Sequence, residues 1–389
     1  MPKNSSIPRI AILVDSATGW GRRLIQGVLE HTKRAATPWD LLIEPHGPDE
    51  SLSLARFKEL DGVIARIATK ELSEEIAQRQ LPAVNVSRIQ LPGRSFQRIS
   101  NDYDSSAKLA VEHFRNRSFQ NFAYVGPIHL PHVQEHCNAF ARELKAYGKV
   151  PHVHSFGSDS SSLPSLDGNS ALRDWLTELP KPIAIYTWAF QIGRDLINLC
   201  RRSRIQVPHE AAILGGDYDD LLCEACYPPL SGVLVPARQI GIEAAARLNA
   251  MMMKKRIPPA PDLLLEAEGI AAHLSTDTLA VDNPQLRDAI RYLRKHACAG
   301  IQVDDILQAV PMGRRSLERQ FRQYLDSTPA KELRRVRVQR ARELLTSTDL
   351  SLEQIAEACG FPNYNYLSAV FKQETGIAPG AYRKRAAGL

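Results

Sequence analysis

Two stretches about fifty residues apart repeat one pattern, and the repeat narrows what the end of this chain can fold into. The first is VDDILQAVPMGRRSLERQFRQYL, residues 303–325; the second is SLEQIAEACGFPNYNYLSAVFKQET, residues 351–375. Leu317 and Phe321 return 50 positions later as Leu367 and Phe371, and Ile306 returns 49 later as Ile355. In the second copy Leu352, Ile355 and Ala356 set a helical stripe, and Gly360 supplies the backbone freedom of a sharp corner. Pro362 and Asn363 then end one helix and cap the next. Leu367, Val370 and Phe371 give that helix a buried face, leaving Tyr364, Asn365, Ser368, Ala369 and Lys372 outward. The first copy turns at Pro311-Met312-Gly313 and presents Arg314, Arg315, Glu318, Arg319 and Arg322. Either copy alone fits an ordinary helical hairpin as well as a helix-turn-helix that places its second helix in the DNA major groove.

Charge separates the two readings. After residue 283 the chain holds 18 of its 49 Lys and Arg but 11 of its 43 Asp and Glu. The remainder is balanced, at 31 basic against 32 acidic, so the formal +6 resides in the final quarter. Clustered positive charge favours a polyanion, because neutralised phosphates release counterions. Between the copies, KELRRVRVQRARELL (331–345) reads as an amphipathic helix with six basic residues from Lys331 to Arg342. At ~1.5 Å per residue it forms a rod of about 24 Å, compatible with two reading helices about one DNA turn apart, roughly 34 Å. Double-stranded DNA is therefore the expected partner. Arginine can bridge guanine O6 and N7, and a carboxylate can accept from cytosine N4. Arg315, Glu318 and Arg319 therefore make the first helix the expected main source of base specificity. Ala369 leaves the second helix only a thymine-methyl contact at its position. Lys331, Arg334, Arg335 and Arg337 are expected to meet phosphate or solvent.

Several other classes find no support. No run of about eighteen apolar residues points to a membrane span, and MPKNSSIPRIAILVDS lacks a signal core with its cleavage site. Six dispersed cysteines do not form a disulfide framework, so a reducing cytoplasm is expected. The lone CxxC at Cys223–Cys226 and the histidines 129, 132 and 136 lack the companions that redox or metal chemistry requires. No GxSxG, HExxH, Walker loop or GxGxxG occurs, so neither catalysis nor a cofactor is expected.

Residues 9–272 alternate apolar runs such as RIAILV, DGVIAR, NFAYVG, PIAIYTW and AAILGGD with helical patterns. That alternation predicts parallel sheets covered on both faces, and about 260 residues imply two such lobes with a cleft between them. Ligands in this architecture bind beyond the carboxyl ends of strands. The candidates are accordingly Asp15, Trp20, Arg22, Arg66, Arg88, Trp188 and Asp217. Each also has a structural reading: Asp217 as a helix cap, the tryptophans as core, the arginines as surface ion pairs. The expected division is a sensor domain at 1–274, a linker at 275–284 and a helical domain at 285–389.

The helical domain resembles the DNA-binding domain of AraC-type transcription regulators. The resemblance is carried by Arg340-Ala341-Arg342-Glu343-Leu344-Leu345, Ile355-Ala356, Cys359-Gly360-Phe361, Tyr366-Leu367, Val370-Phe371-Lys372, Gly376, Pro379 and Tyr382-Arg383. Tyr366-Leu367 stands where that family often has Tyr-Phe. SNDYDSSAKLAVEHF (100–114), FAYVGP (122–127) and ILGGDYDD (213–220) resemble the periplasmic-binding-protein fold of LacI/GalR-type regulators. The combined order is similar to that of xylose operon regulators. It implies a cytoplasmic activator of carbohydrate-use genes, working as a homodimer with RNA polymerase as a further partner. Its effector would be xylose or a related sugar. By the same resemblance Asp217 accepts from sugar hydroxyls, Trp20 and Arg22 face the cleft, and His136 stands where relatives have arginine. Trp188 and Val235 occupy positions where relatives carry Asp or Asn and Gln. Those changes remove hydrogen-bond partners a sugar needs, so the sensor class carries over without fixing xylose.

Overall fold

The computed structural model describes residues 7–34, 38–43, 52–93, 95–157, 169–253, 262–281, 283–325 and 327–386. The chain divides after Thr278 into two compact units.

The first unit holds two six-stranded sheets. One contains β1 (Arg9–Leu13), β2 (Asp40–Ile43), β3 (Gly62–Ala65), β4 (Ala83–Asn85), β5 (Gln97–Asn101) and β11 (Leu263–Leu265), in the order β11-β5-β4-β3-β1-β2. The other contains β6 (Asn121–Gly126), β7 (His152–Ser155), β8 (Ile183–Thr187), β9 (Ala211–Gly215), β10 (Ser231–Leu234) and β12 (Gly269–Ala271), in the order β12-β10-β9-β8-β6-β7. Every pairing is parallel except β10 with β12.

Strand β1 shows why the apolar runs read as they do. Ile10 and Ile12 join one core with Leu24, Val28 and Leu248, whereas Ala11 and Leu13 join another with Leu54, Leu72 and Ile76. Alternate side chains point to opposite faces, and both faces are covered. The first core lies under α1 (Gly19–Arg34) and α8 (Ala237–Met252), which pack on each other. Their contact is close enough that a Cβ on Gly27 would lie 2.0 Å from the Arg238 carbonyl oxygen. The second core lies under α2 (Lys70–Gln78). On the other sheet pack α3 (Tyr103–Arg115), α4 (Pro131–Lys145), α5 (Ser170–Glu178), α6 (Phe190–Arg202) and the short α7 (Asp220–Glu224). The chain changes lobes between β5 and α3, between β10 and α8, and between β11 and β12.

The second unit is helical: α9 (Pro284–His296), α10 (Val303–Ala309), α11 (Arg314–Leu325), α12 (Pro329–Ser347), α13 (Leu352–Ala358), α14 (Tyr364–Thr375) and α15 (Pro379–Ala386). It has two cores strung on α12. Leu333 packs with Leu293, Ile306, Leu317 and Phe321, while Val338, Ala341 and Leu345 pack with Ile355, Leu367 and Phe371. The repeat is thus two helix pairs sharing one long helix.

The expected linker at 275–284 is not a solvated tether. Ser275 and Thr276 are fully buried in the first unit. Ser275 Oγ donates to the Ile213 carbonyl at 2.6 Å and accepts from Ser231 N at 2.8 Å. Thr276 Oγ1 meets Ser231 Oγ at 2.7 Å and His113 Nε2 at 2.9 Å. Val281 is buried in the core of the second unit. Small polar residues that read as linker instead close the last hydrogen bonds of a lobe. Among the described residues no helix is long and apolar enough to cross a membrane.

Candidate effector cleft and DNA-reading face

Parallel pairing puts the ends of β1, β3 and β4 side by side: Leu13 is level with Ala65, and Ala65 with Asn85. The residues that follow them, Asp15, Arg66 and Arg88, therefore emerge at one edge of the first sheet. Trp188 after β8 and Asp217 after β9 emerge likewise from the second, together with the start of α4.

Asp15 is half-buried and accepts from Ala17 N at 3.1 Å. Burial raises its pKa against the Ala17 hydrogen bond and the nearby Arg66 charge. Arg66 anchors its backbone N on the Leu13 carbonyl at 3.0 Å. Its guanidinium, with pKa lowered by burial against the charges of Asp15 and Tyr103, makes no hydrogen bond or ion pair among the described residues. Arg88 crosses to the other lobe, where it pairs with Glu135 of α4, and its guanidinium lies 4.9 Å from the Tyr103 ring centre.

From the second lobe Trp188 is half-buried and set edge-on among aromatic rings. Tyr103 lies 5.9 Å away, His132 5.3 Å and His136 5.1 Å. Burial, then the charge of Arg66, pushes His132 down to about 4, so its ring is neutral at pH 7. His136 is wholly inside. Its Nδ1 meets Tyr124 Oη at 2.8 Å and its Nε2 meets Tyr186 Oη at 3.0 Å, which occupies both ring nitrogens. Its polar atoms are thus directed into the core, with the ring edge against Trp188.

Asp217 sits where α6 begins: its Oδ1 accepts from Phe190 N at 2.7 Å. It caps that helix and not the one following its own strand, whose cap is Asp219. Burial lifts Asp217 to about 6, against the Phe190 hydrogen bond and the Arg23 charge. Trp20 packs half-buried against the first lobe's core, away from the aromatic group. Arg22 is exposed and donates to the Ala17 carbonyl at 2.6 Å; it also pairs with Asp219 at 3.3 Å. Asp219, only 1% exposed, accepts from Gly19 N at 2.5 Å as well. Arg22 thus ties the lobes together through Asp219. Tyr103 and His132 stand beside Trp188, and Tyr103 also under Arg88, although neither is marked by the sequence pattern. Tyr103 sits at a lobe crossing, and His132 reads by spacing as a metal candidate until Trp188 is placed beside it.

In the second unit α11 and α14 turn their predicted faces outward. Arg314, Arg315, Arg319 and Arg322 are exposed and Glu318 is half-exposed; Arg314 pairs with Asp304. On α14 Asn365, Ala369 and Lys372 are exposed, and Tyr364 and Ser368 half-exposed. Tyr366 adds a 46% exposed ring that pattern alone had not placed there. The helix starts on Asn363, whose side chain accepts from Tyr366 N at 2.9 Å.

Two basic residues of α12 depart from expectation. Arg337 is buried, donating to the Ala297 carbonyl at 2.8 Å and the Ile301 carbonyl at 2.6 Å, so it closes the end of the preceding helical turn and meets no phosphate. Arg335 donates to buried Glu332 at 2.7 Å, which also accepts from Arg294 at 3.2 Å. Burial acts to raise the Glu332 pKa, but these hydrogen bonds and charges outweigh it and hold the carboxyl below its usual range.

Comparison with known proteins agrees with this geometry. Residues 306–385 match a helix-turn-helix domain and residues 111–271 a periplasmic binding protein-like domain. The xylose operon regulatory protein of Escherichia coli K12 is 29% identical over 386 residues, covering 96% of each chain. That of Haemophilus influenzae is 25% identical, covering 96% of this chain and 98% of its own. The solved structure of the xylose-binding transcription activator xylR superposes with a TM-score of 0.62 at 28% identity, over 98% of this chain and 99% of that one.

Proposed function

We propose that this chain, a homologue of the xylose operon regulatory proteins, is a DNA-binding transcription regulator that switches carbohydrate-use genes in answer to a small sugar held between its lobes. One observation carries the reading. Arg66 and Arg88 of the first lobe reach the aromatic group of the second, in the same chain as two helix-turn-helix pairs with outward polar faces. Asp15, Arg66, Trp188 and Asp217 supply the donors, the acceptors and the flat ring that a sugar requires. Arg88 and Arg22 hold the lobes around them. Arg315, Glu318, Arg319, Asn365 and Ser368 read bases, and Arg314, Arg322 and Lys372 contact phosphate.

A sugar that favours one lobe arrangement shifts the population without any chemistry on it, so catalytic groups are not required. Activation in the cytoplasm, a homodimer and contact with RNA polymerase complete the proposal, since paired half-sites mirror protein symmetry. The test is a thermal-shift screen of the full chain against pentoses and hexoses, paired with selection of binding sites from random duplex DNA. A compound that raises the melting temperature and alters the affinity for a selected site supports the reading. Turnover of that compound by the purified protein would overturn it.

A further inference from the structure

We propose that the effector is a sugar acid, an aldonate or uronate, whose carboxylate is clamped by Arg66 while Asp15 and Asp217 accept from its hydroxyls. The proposal rests on the cleft being the effector site and names what that site selects. Four arginines stand at the meeting of the lobes, and three have carboxylate partners: Arg22 with Asp219, Arg23 with Asp220, and Arg88 with Glu135. The Arg66 guanidinium makes no direct hydrogen bond or contact ion pair among the described residues; Asp15, which leaves the neighbouring strand, acts on it through charge alone. A partly buried guanidinium whose N–H donors are unmet gains from an acceptor that reaches them, and its fork geometry fits a carboxylate with two parallel hydrogen bonds.

The hydrogen-bonding balance points the same way. Trp188 carries an N–H donor, and Tyr103 and His132 stand beside it. Asp15 and Asp217 each already give an oxygen to a backbone N–H. The site is therefore rich in donors yet retains two acceptors for hydroxyl groups. That is the inverse of a polyhydroxylated carboxylate. A phosphorylated sugar fits less well: burial and the charge of Arg66 keep His132 neutral, so a dianion would meet one guanidinium beside the Asp15 carboxylate.

The experiment compares full-length protein with D-xylose, D-glucose and D-galactose, with D-xylonate, D-glucuronate and D-galacturonate, and with D-glucose 6-phosphate. Calorimetry and melting temperature are the readouts. At least one acid should bind roughly tenfold or more tighter than its neutral parent. Arg66→Gln should abolish that preference by weakening the acid far more than its neutral parent while DNA affinity stays unchanged, and Arg66→Lys should restore part of it. A neutral sugar bound as tightly as its acid, or the phosphate bound best, overturns the carboxylate clamp and leaves the sensor reading standing. Silence from all seven compounds would count against both. If Arg66→Gln weakens acid and parent equally, Arg66 merely shapes the cleft and the clamp is refuted.

Discussion

The two helix-turn-helix pairs repeat one packing pattern in separate cores and differ on the surface. Leu317 and Phe321 in the first, Leu367 and Phe371 in the second, are all fully buried, and each set packs on its own half of α12. Outside, α11 shows four exposed arginines, whereas α14 shows one lysine with Asn365, Tyr366 and Ala369. The corners differ too. Gly360 has φ +73°, and a Cβ there would lie 2.8 Å from the Cys298 carbonyl oxygen and from Gly300 N. A Cβ on Gly313 would meet nothing within 4 Å. The repeated positions keep what packing requires, and the positions free to vary have diverged toward charge in one copy and neutral polarity in the other.

The largest effect should come from the corners. Gly360→Ala forces a left-handed φ on a residue with a Cβ and drives that atom into backbone, at a cost of about 3 kcal/mol. Gly313→Ala should cost under ~0.5 kcal/mol. Urea unfolding followed by helical circular dichroism measures both, and equal losses would break the contrast. Next come the reading faces. Arg319→Ala should weaken binding to a selected site by about 2 kcal/mol and relax specificity at one base pair, as competition titration at fixed salt would report. Asn365→Ala in the second copy should cost about 1 kcal/mol. A larger loss from Asn365 than from Arg319 would reverse the assignment of the stronger reader.

A further effect is a slope in pH, and it belongs to the sensor. Burial raises Asp217 from 3.8 to about 6. A carboxyl raised on folding contributes stability below its unfolded value, and that contribution is lost as pH rises through the folded one. The first unit should therefore lose part of its stability between about pH 4 and pH 6. Asp217→Asn should flatten that segment of the melting-temperature profile; an unchanged slope would assign it to another group.

Much of this was legible in the chain. Strands buried on both faces announced themselves as apolar runs, and the fifty-residue shift identified the paired helices before any coordinates. Less legible was what depends on a distant partner. QRISN, the whole of β5, reads as polar although Ile99 and Ser100 are buried, and α5 hides in a mostly polar segment. Arg337 and Arg335 look like phosphate ligands by type, yet one closes a helical turn and the other holds a buried glutamate. His136 sits among cleft residues in sequence but spends both nitrogens on tyrosines. Edge strands β2 and β7 carry exposed residues because each has a neighbour on one side only.

On the proposed function, occupancy of the cleft changes how the tandem pairs hold DNA. The most direct measurement is a fluorescence-anisotropy titration of full-length protein against a selected duplex and a random one, at one salt concentration. It is run without and with the compound that raises the melting temperature. The expected result is a preference for the selected duplex whose affinity shifts severalfold with the compound, while the random duplex is unaffected. Identical curves with and without the compound, or equal affinity for both duplexes, would contradict it.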